Sequence, residues 1–226
     1  TASTDIGQGT ETVFRQIVAD AAGVGMAEVD FAVPSTTTVP DSGPTVASRT
    51  VMVVGSIVES AARELAERVK KEQEAAGGTF AEATDRLLAR EGEVTSLLQY
   101  SPPSFIQWDD AKYKGDAYPC FGWACDIAEV EVDLDTFEVT VTDFWSAVDV
   151  GKAIHPTMCK GQLEGGALQA IGWALFEDLV WDKGVIKNPR MTNYIVPTAL
   201  DAPPFHTILV EEPFSFGPGG GAKGIG

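Results

Sequence analysis

The amino-acid sequence predicts an α+β protein built from two mixed halves, approximately residues 1–119 and 120–226. Apolar residues recur at helical spacing in three long segments, and two strand-like runs flank a short polar turn in the second half. Helix and strand patterns occur in both halves, as expected of a mixed fold. The chain has 226 residues and 44% of them are apolar, so it is long enough to bury a substantial core.

The first half is predicted to begin with a loop and a helix. The loop Asp5–Thr10 precedes a run in which Phe14, Ile17 and Ala21 share one helical face, and Gly23 is placed to end the helix. Polar and apolar residues alternate from Val29 to Val33, which predicts a short strand.

Two further helices are predicted before residue 100. The longer one starts near Val46, after the segment Ser42–Arg49, and extends to about Gln73. The shorter one occupies Thr79–Arg90 and follows a Gly-Gly break.

The second half predicts a hairpin and then a helix. The strands are expected at Trp123–Val132 and Phe137–Val150, and the helix begins at Pro156, a residue suited to the first helical position. Each glycine inside a helix costs about 1 kcal/mol relative to alanine, and this helix contains Gly161, Gly165, Gly166 and Gly172. Three of them lie roughly on one face, where a cofactor or a neighbouring backbone can approach closely. Tight helix packing alone is the alternative explanation.

Composition narrows the function classes. Lys and Arg number 16 against 33 Asp and Glu, so the net charge of -17 repels nucleic acids and anionic membrane surfaces. No apolar window is long enough for a membrane span and the start lacks signal-peptide features, so the expected compartment is the cytoplasm. Three cysteines, an odd number, are expected to be thiols.

Two predicted helix starts favour an anion. The segments Gly7–Thr10 and Thr45–Arg49 place small residues just before a helix, where exposed N–H groups and the helix dipole attract phosphate. Gly7 and Gly9 permit close backbone approach on both sides of Gln8, whose amide can donate and accept hydrogen bonds. The alternative is that Thr10 caps the helix and the glycines only form a turn.

Spacing argues against other common sites. The glycine-rich run Gly217–Gly226 has Ala222 and Gly224 where a Walker A loop needs Gly and Ser or Thr. It is expected to be a flexible loop with one cation, Lys223. Cys120 and Cys125 lack the usual zinc spacing, and no serine lies in a G-x-S-x-G turn.

Four segments, in order, resemble the C-terminal molybdenum-cofactor-binding domain of the xanthine dehydrogenase and aldehyde oxidoreductase family. They are Asp5–Thr10, Gly43–Arg49, Gly161–Gly165 and Gly221–Gly226. Connecting segments are similar as well: Gly115–Pro119, Ala128–Asp133 and Asp149–Pro156. The resemblance covers nearly the whole chain.

This resemblance implies a set of cofactor-binding residues, none of which is expected to ligate the metal directly. In the family, two segments wrap the molybdopterin and its dinucleotide phosphates; here they are Gly7, Gln8, Gly9 and Thr10, and Thr45, Val46, Ala47, Ser48 and Arg49. A helix presents a glutamine, here Gln162, and the resemblance places Lys223 and Gly224 near the metal. Bacterial relatives often carry the cytosine dinucleotide form of the pterin, which is the form expected here.

The resemblance also implies an activity and partners. Enzymes of this family oxidise aldehydes or N-heterocycles with water-derived oxygen, and electrons leave through [2Fe-2S] clusters and usually an FAD on other domains or subunits. The implied partners are a second molybdopterin-binding chain or domain, an iron-sulfur subunit and a flavin subunit.

The general base of the family is a Glu directly after the residue that matches Gly226, beyond this sequence, and the first cofactor domain is absent as well. Lys223 cannot replace that base because it is cationic at neutral pH. The isolated chain is therefore expected to be inactive.

Two other functions stay open at this point. One is a catalytically inactive cofactor-binding or assembly module that keeps the fold and lacks the base. The other is a nucleotide-binding module without redox function. The residue that follows Gly226 distinguishes the first from an enzyme, and binding of a simple nucleotide without metal identifies the second.

Overall fold

A computed structural model of the chain describes residues 1–225, which form two compact units. The first unit comprises Thr1–Gly122, Val150–His155 and Glu211–Ile225, and the second comprises Trp123–Asp149 and Pro156–Val210. The chain thus passes between the units four times, so a single cut near residue 120 does not describe the arrangement. Mixed helix and strand content is confirmed, although the first unit is mainly helical and the second is built around a sheet.

Helix α1, Thr10–Ala22, confirms the first predicted helix. Its buried face includes Val13, Phe14 and Ile17. The helix ends at Gly23, which adopts a φ of 72° and donates its N–H to the carbonyl of Ala19 at 2.9 Å. Glycine at this position avoids the strain that a side chain would have there.

The second helix starts later than predicted. A π-helical segment, Thr50–Gly55, leads into α2, Ser56–Ala76. The predicted start near Val46 is wrong because Ala47 and Ser48 have φ values of 57° and 50°, which a right-handed helix cannot contain. A Cβ on Gly55 would lie 3.1 Å from Ile17 Cδ1, so glycine allows this helix to pass close to α1.

Helix α3, Phe80–Glu91, matches the predicted short helix and begins with a capping box. The hydroxyl of Thr79 accepts the N–H of Glu82, and the N–H of Thr79 donates to the Glu82 carboxylate. The buried face of α3 packs on α2 in an apolar cluster of Val69, Ala83 and Leu87. This cluster fixes the hairpin of the two helices.

The predicted strand at Val29–Val33 is wrong. The chain forms a short 3-10 helix, Met26–Glu28, and then continues without regular structure. Arg15 donates through Nε to the carbonyl of Val29 at 2.8 Å and through Nη2 to that of Met26 at 3.0 Å. Alternation of polarity indicates a strand only where a neighbouring strand pairs with it. Further along the first unit, β1, Trp108–Asp109, and β2, Lys114–Gly115, form a very short antiparallel pair.

The second unit contains the predicted hairpin and one strand that the sequence did not indicate. Strands β3, Ala124–Val132, and β4, Val139–Asp149, pair antiparallel, and β7, Phe205–Val210, pairs parallel with the other edge of β4. The sheet order is therefore β3-β4-β7. A small antiparallel pair, β5 at Trp181–Asp182 and β6 at Val185–Ile186, lies before β7 in the chain.

Helix α4, Pro156–Leu175, confirms the predicted helix and its first residue. Leu163 and Ile171 are buried, and the hydroxyl of Thr207 on β7 lies 3.4 Å from the Glu164 carboxylate. The helix therefore packs on the side of the sheet to which Thr207 points. A final helical turn, α5 at Pro218–Gly221, belongs to the first unit.

Within residues 1–225, none of the helices combines the length and the apolar character needed to cross a membrane. The three cysteines are thiols, as expected.

Leu87 and Leu88 provide a matched test of the α2–α3 cluster. Leu87 is 3% exposed inside the cluster, whereas its neighbour Leu88 is 42% exposed. We expect Leu87→Ala to lower the free energy of unfolding by about 2–5 kcal/mol because it leaves a cavity. Leu88→Ala should change it by less than about 1 kcal/mol. Urea denaturation of both variants checks this, and equal effects would show that the cluster does not stabilise the helices.

Candidate functional site

Gln8 holds its own loop together. Its Nε2 donates to the carbonyl of Thr4 at 2.8 Å and to the hydroxyl of Thr10 at 2.7 Å. Its Oε1 accepts the N–H of Ile6 at 2.7 Å. The side-chain amide is half-buried, while Gly9 and Thr10 beside it are buried and Gly7 is exposed. Gln8 therefore fixes the shape of the loop that any ligand at this edge would meet.

The carboxylate of Asp5 occupies the first predicted anion site, at the start of α1. It accepts the N–H groups of Gly7 at 2.8 Å, Glu11 at 2.9 Å and Gly9 at 3.4 Å. The hydrogen bond from Glu11, followed by that from Gly7, lowers the pKa of Asp5 below its usual range. A negative charge of the protein itself thus sits where a phosphate was predicted.

The second predicted anion site differs from the first in its backbone conformation and in its hydrogen bonds. Ser48 has a left-handed φ of 50° and Arg49 is right-handed, a pair of conformations that points successive N–H groups to one side and forms an anion-binding concavity. Within residues 1–225, the N–H groups of Ser48, Arg49 and Thr50 donate no hydrogen bond. These three donors are available to a ligand.

Arg49 adds positive charge to that concavity. Its guanidinium donates to the carbonyl of Ser42 at 2.6 Å and to that of Pro44 at 3.0 Å, rather than to a carboxylate. Its charge is therefore not neutralised by these bonds, and it favours an anion nearby. Thr45 is half-buried, and Val46, Ala47 and Ser48 are exposed.

Hydrogen bonds join the chain just before the first loop to the segment around Thr45. The hydroxyl of Thr45 accepts the N–H of Thr4 at 3.1 Å and its hydroxyl at 3.2 Å. Two residues before Thr4, the N–H of Ala2 donates to the hydroxyl of Ser42 at 3.0 Å. The structure thus connects Thr45 to Thr4, whose carbonyl oxygen binds the Gln8 amide of the Gly7–Thr10 loop.

The glycine-rich terminal segment also reaches this place and is not the flexible loop that was expected. Gly151 and Ala222 form an isolated antiparallel bridge, and Lys223 donates its N–H to the carbonyl of Val150 at 3.0 Å. A Cβ on Gly224 would overlap the carbonyl oxygen of Ser48. The segment is therefore ordered, with Gly224 against the second loop. Gly226 lies outside the described residues, as does the Glu expected after it.

Lys223 is anchored to the first unit. Its Nζ donates to the carbonyl of Phe121 at 3.3 Å. A protonated lysine in this position contributes positive charge beside Gly224 and cannot accept a proton.

A cavity of about 430 Å³ in the first unit was missed by sequence reasoning. Its lining has no charged side chain and comes from the start of the second helix, residues 98–103, Pro119 and the pair Phe214 and Phe216. Burial raises the pKa of the Tyr100 hydroxyl, so this lining residue is neutral. No periodic pattern joins such separate segments, which is why the sequence did not indicate the cavity.

Comparisons with known proteins identify the family of the chain. Residues 1–203 match the model of a family described as the molybdopterin cofactor-binding domain. The chain belongs to this family. The resemblance on which the sequence analysis relied is thereby confirmed.

Relatives of this molybdopterin cofactor-binding domain include subunits of larger enzymes. A protein of Escherichia coli K12 described as a putative xanthine dehydrogenase molybdenum-binding subunit is 31% identical over 227 residues, covering 92% of this chain and 30% of the relative. The nicotine 6-hydroxylase large subunit of Paenarthrobacter nicotinovorans is 27% identical over 242 residues, covering 97% of this chain and 29% of the relative. The chain thus spans about 30% of the length of these curated relatives.

Solved structures give the same result for the fold. Quinoline 2-oxidoreductase from Pseudomonas putida 86 superimposes with a TM-score of 0.78 at 29% identity, covering 99% of this chain and 30% of that one. The aldehyde oxidoreductase of Desulfovibrio gigas superimposes with a TM-score of 0.82 at 27% identity, covering 100% and 24%.

In this molybdopterin cofactor-binding domain, Gln162 lies on α4 in the second unit and is half-buried. A Cβ added at Gly161 or Gly165 would meet nothing within 4 Å, whereas one at Gly172 would lie 2.7 Å from Pro197 Cδ. Helix packing therefore explains Gly172 but not Gly161 or Gly165. The helix is open beside Gln162, where a large ligand can approach.

Two glutamates on or after α4 that could suggest acid-base chemistry have structural partners. Tyr194 donates its hydroxyl to the Glu177 carboxylate at 2.5 Å, which raises the pKa of Tyr194, and Glu164 accepts from Thr207. Among residues 1–225, no group of three His, Cys, Asp or Glu side chains is arranged to hold a metal ion.

The hydrogen bonds of Asp5 generate a pH prediction. Because the folded-state pKa is lowered, the stabilisation of the loop is fully present above the ordinary Asp pKa of about 4 and is lost as pH falls through the folded value. The amide NMR signals of Gly7 and Glu11 should report that loss. Asp5→Asn should remove the transition, and a transition that persists in this variant would assign it to another carboxyl group.

Gly165 and Gly172 form a matched pair for the helix. Gly172→Ala should destabilise the domain because the new methyl group would lie 2.8 Å from Glu177 Oε1 as well as against Pro197. Gly165→Ala should raise the free energy of unfolding by about 1 kcal/mol because alanine is the better helix former. Urea denaturation distinguishes the two, and destabilisation by Gly165→Ala would mean that its surroundings are not open.

Proposed function

We propose that this chain supplies part of the molybdenum-cofactor site of an oxidoreductase that oxidises an aldehyde or N-heterocycle with water-derived oxygen. The observation that carries this proposal is the meeting of three family segments in the first unit, with the unfilled N–H groups of Ser48, Arg49 and Thr50 beside Gly224. The names of relatives, among them a xanthine dehydrogenase subunit and an aldehyde oxidoreductase, support the reaction class.

In this proposal the two loops bind different parts of the cofactor. The N–H groups at residues 48–50 and the charge of Arg49 hold the phosphates of a dinucleotide pterin, for which we propose the cytosine form. Thr45, Val46 and Ala47 form the wall of that concavity. The loop Gly7–Thr10, shaped by Gln8, faces the pterin, because the N–H groups of Gly7, Gly9 and Glu11 already bind the Asp5 carboxylate.

Gln162 and the open glycines of α4 form a second contact in the proposal. Without side chains at Gly161 and Gly165, a flat ligand can lie against the helix backbone while the Gln162 amide donates to it or accepts from it. Molybdenum bound through the pterin would supply the redox chemistry. The proton acceptor would be a Glu after Gly226, and Lys223 would add positive charge near that place.

The proposed assembly contains further chains or domains. A second molybdopterin-binding part, a [2Fe-2S] subunit and a flavin subunit would complete the cofactor site and remove the electrons. Such an assembly is supported by relatives that are described as subunits, one of them the gamma subunit of a dehydrogenase complex. We place it in the cytoplasm, since low cysteine content and thiols suit a reducing compartment.

Gln8→Ala tests the loop assignment. It removes three hydrogen bonds inside the loop, so we expect less molybdenum and pterin in the purified assembly while the circular dichroism spectrum is retained. Gln73→Ala is the matched control, because Gln73 donates only to the carbonyl of Gly78 at the end of α2. Unchanged cofactor content in Gln8→Ala would remove Gln8 from the site.

Elemental mass spectrometry of the assembly, purified from its source cells through this chain, tests the function as a whole. We expect one molybdenum for each copy of the chain. An intact assembly without molybdenum would favour an inactive cofactor-binding or assembly module of the same fold.

A further inference from the structure

One face of the β3-β4-β7 sheet is apolar and exposed. Residues directly opposite each other on paired strands share a face, so the register places Ile127, Trp145 and His206 in one row. The rings of Trp145 and His206 stack with their centres 5.0 Å apart, which confirms that they point the same way. We call this side the open face; it comprises Cys125, Ile127, Glu129, Val130 and Val132 on β3, Val139, Val141, Asp143, Trp145 and Ala147 on β4, and His206, Ile208 and Val210 on β7.

The open face is mainly apolar although it is exposed to solvent. Ile127 is 59% exposed, Ile208 56% and Val130 51%. The opposite side carries Thr207, which contacts Glu164 of α4. A sheet covered on one side by a helix normally alternates apolar and polar residues so that its outer side is polar. Here Glu129 and the hydrogen-bonded pair of Asp143 and His206, 2.7 Å apart, are the polar groups among the apolar residues.

The solvent-exposed area of the whole chain is larger than expected for two compact bodies. The chain exposes 14719 Å². Two separate compact bodies of half this mass would expose about 12,000 Å² together, whatever their mutual position. A standard interface covers about 800 Å² on each partner, so the excess is more than enough for one.

The charge around the open face determines which kind of partner fits. From Trp123 to Val150 the chain has eight acidic residues and no Lys or Arg. Asp149 is buried, and the other seven are Asp126, Glu129, Glu131, Asp133, Asp135, Glu138 and Asp143. A second copy of the chain would bring the same acidic rim to a symmetric interface and place like charges together. A partner with an apolar centre and a basic rim is complementary.

We propose that the open face docks against another part of the same molybdenum-binding protein, outside residues 1–226, through an apolar patch with a rim of Lys and Arg. Relatives have more than two thirds of their length outside the matched region, which provides such a part. The proposal rests on the proposed function in one respect only, that the chain works within a larger molybdenum-binding assembly.

Cys125 reports whether the face is covered. It is exposed and lies in the row of Ala147 and Ile208. In the intact assembly, maleimide labelling of Cys125, followed by peptide mass spectrometry, should be slower than in the urea-denatured protein by roughly tenfold or more. Native labelling at the denatured rate would overturn the proposal.

A charged substitution tests the contact itself. Ile208→Lys should increase native labelling of Cys125 by roughly tenfold and abolish carbodiimide cross-links between Glu129 or Asp133 and lysines outside this chain. Leu200→Lys is the control, since Leu200 is 97% exposed in a loop outside the sheet. Ile127→Thr, which keeps β-branching, replaces Ile208→Lys if that variant does not fold. Unchanged labelling in the folded variant, or cross-links between two copies of the hairpin, would overturn the proposal.

Molybdenum content keeps this result separate from the proposed function. A protected Cys125 in an assembly without molybdenum would support the docking surface and contradict the cofactor site. A freely labelled Cys125 in an assembly that holds molybdenum would contradict the docking surface and support the cofactor site.

Discussion

The backbone contact between residues 150–152 and 221–223 is the constraint on which the first unit depends. Gly221 accepts the N–H groups of Lys152 at 3.0 Å and Phe214 at 2.9 Å, and Lys223 donates to Val150. A Cβ on Gly151 would overlap the Gly221 carbonyl oxygen, so only glycine permits this approach. The contact returns the end of the chain to a unit composed mostly of its beginning. Gly224 consequently reaches the carbonyl of Ser48, and the candidate site exists only because of that return.

The two predicted anion sites show that a helix start by itself does not define a ligand site. At the first, the Asp5 carboxylate takes the N–H groups that a phosphate would need, and it does so within the same short loop. At the second, three N–H groups stay unfilled and Arg49 is bonded to carbonyl oxygens. The same residue types thus give a self-satisfied loop in one place and an open concavity in the other. The difference lies in a carboxylate three residues before Gln8.

In the second unit, parts of the sheet and of α4 are left exposed. Its helix α4 packs against β7 on one side of the sheet, and Gly172 permits that helix to end tightly against Pro197. The other side keeps Ile127 and Ile208 exposed within an acidic rim, and Gly161 and Gly165 leave α4 open as well. Surfaces of this kind are expected in a domain that functions as one part of a longer protein.

Local sequence patterns were sufficient to predict several helix bounds and the strands of the hairpin. The periodicity of Phe14 and Ile17, the stop at Gly23, the start at Pro156 and the hairpin strands were all predicted, because each depends on neighbours in sequence. Four short motifs in order identified the family. Tertiary structure decided the rest. Strand β7 exists because β4 pairs with it, and Val29–Val33 is not a strand because Arg15 takes its carbonyl and no strand pairs with it there. The approach of Gly224 to Ser48 joins positions 176 residues apart in sequence, and no local pattern records such a contact, since its energy arises only when the folded backbone brings the two together.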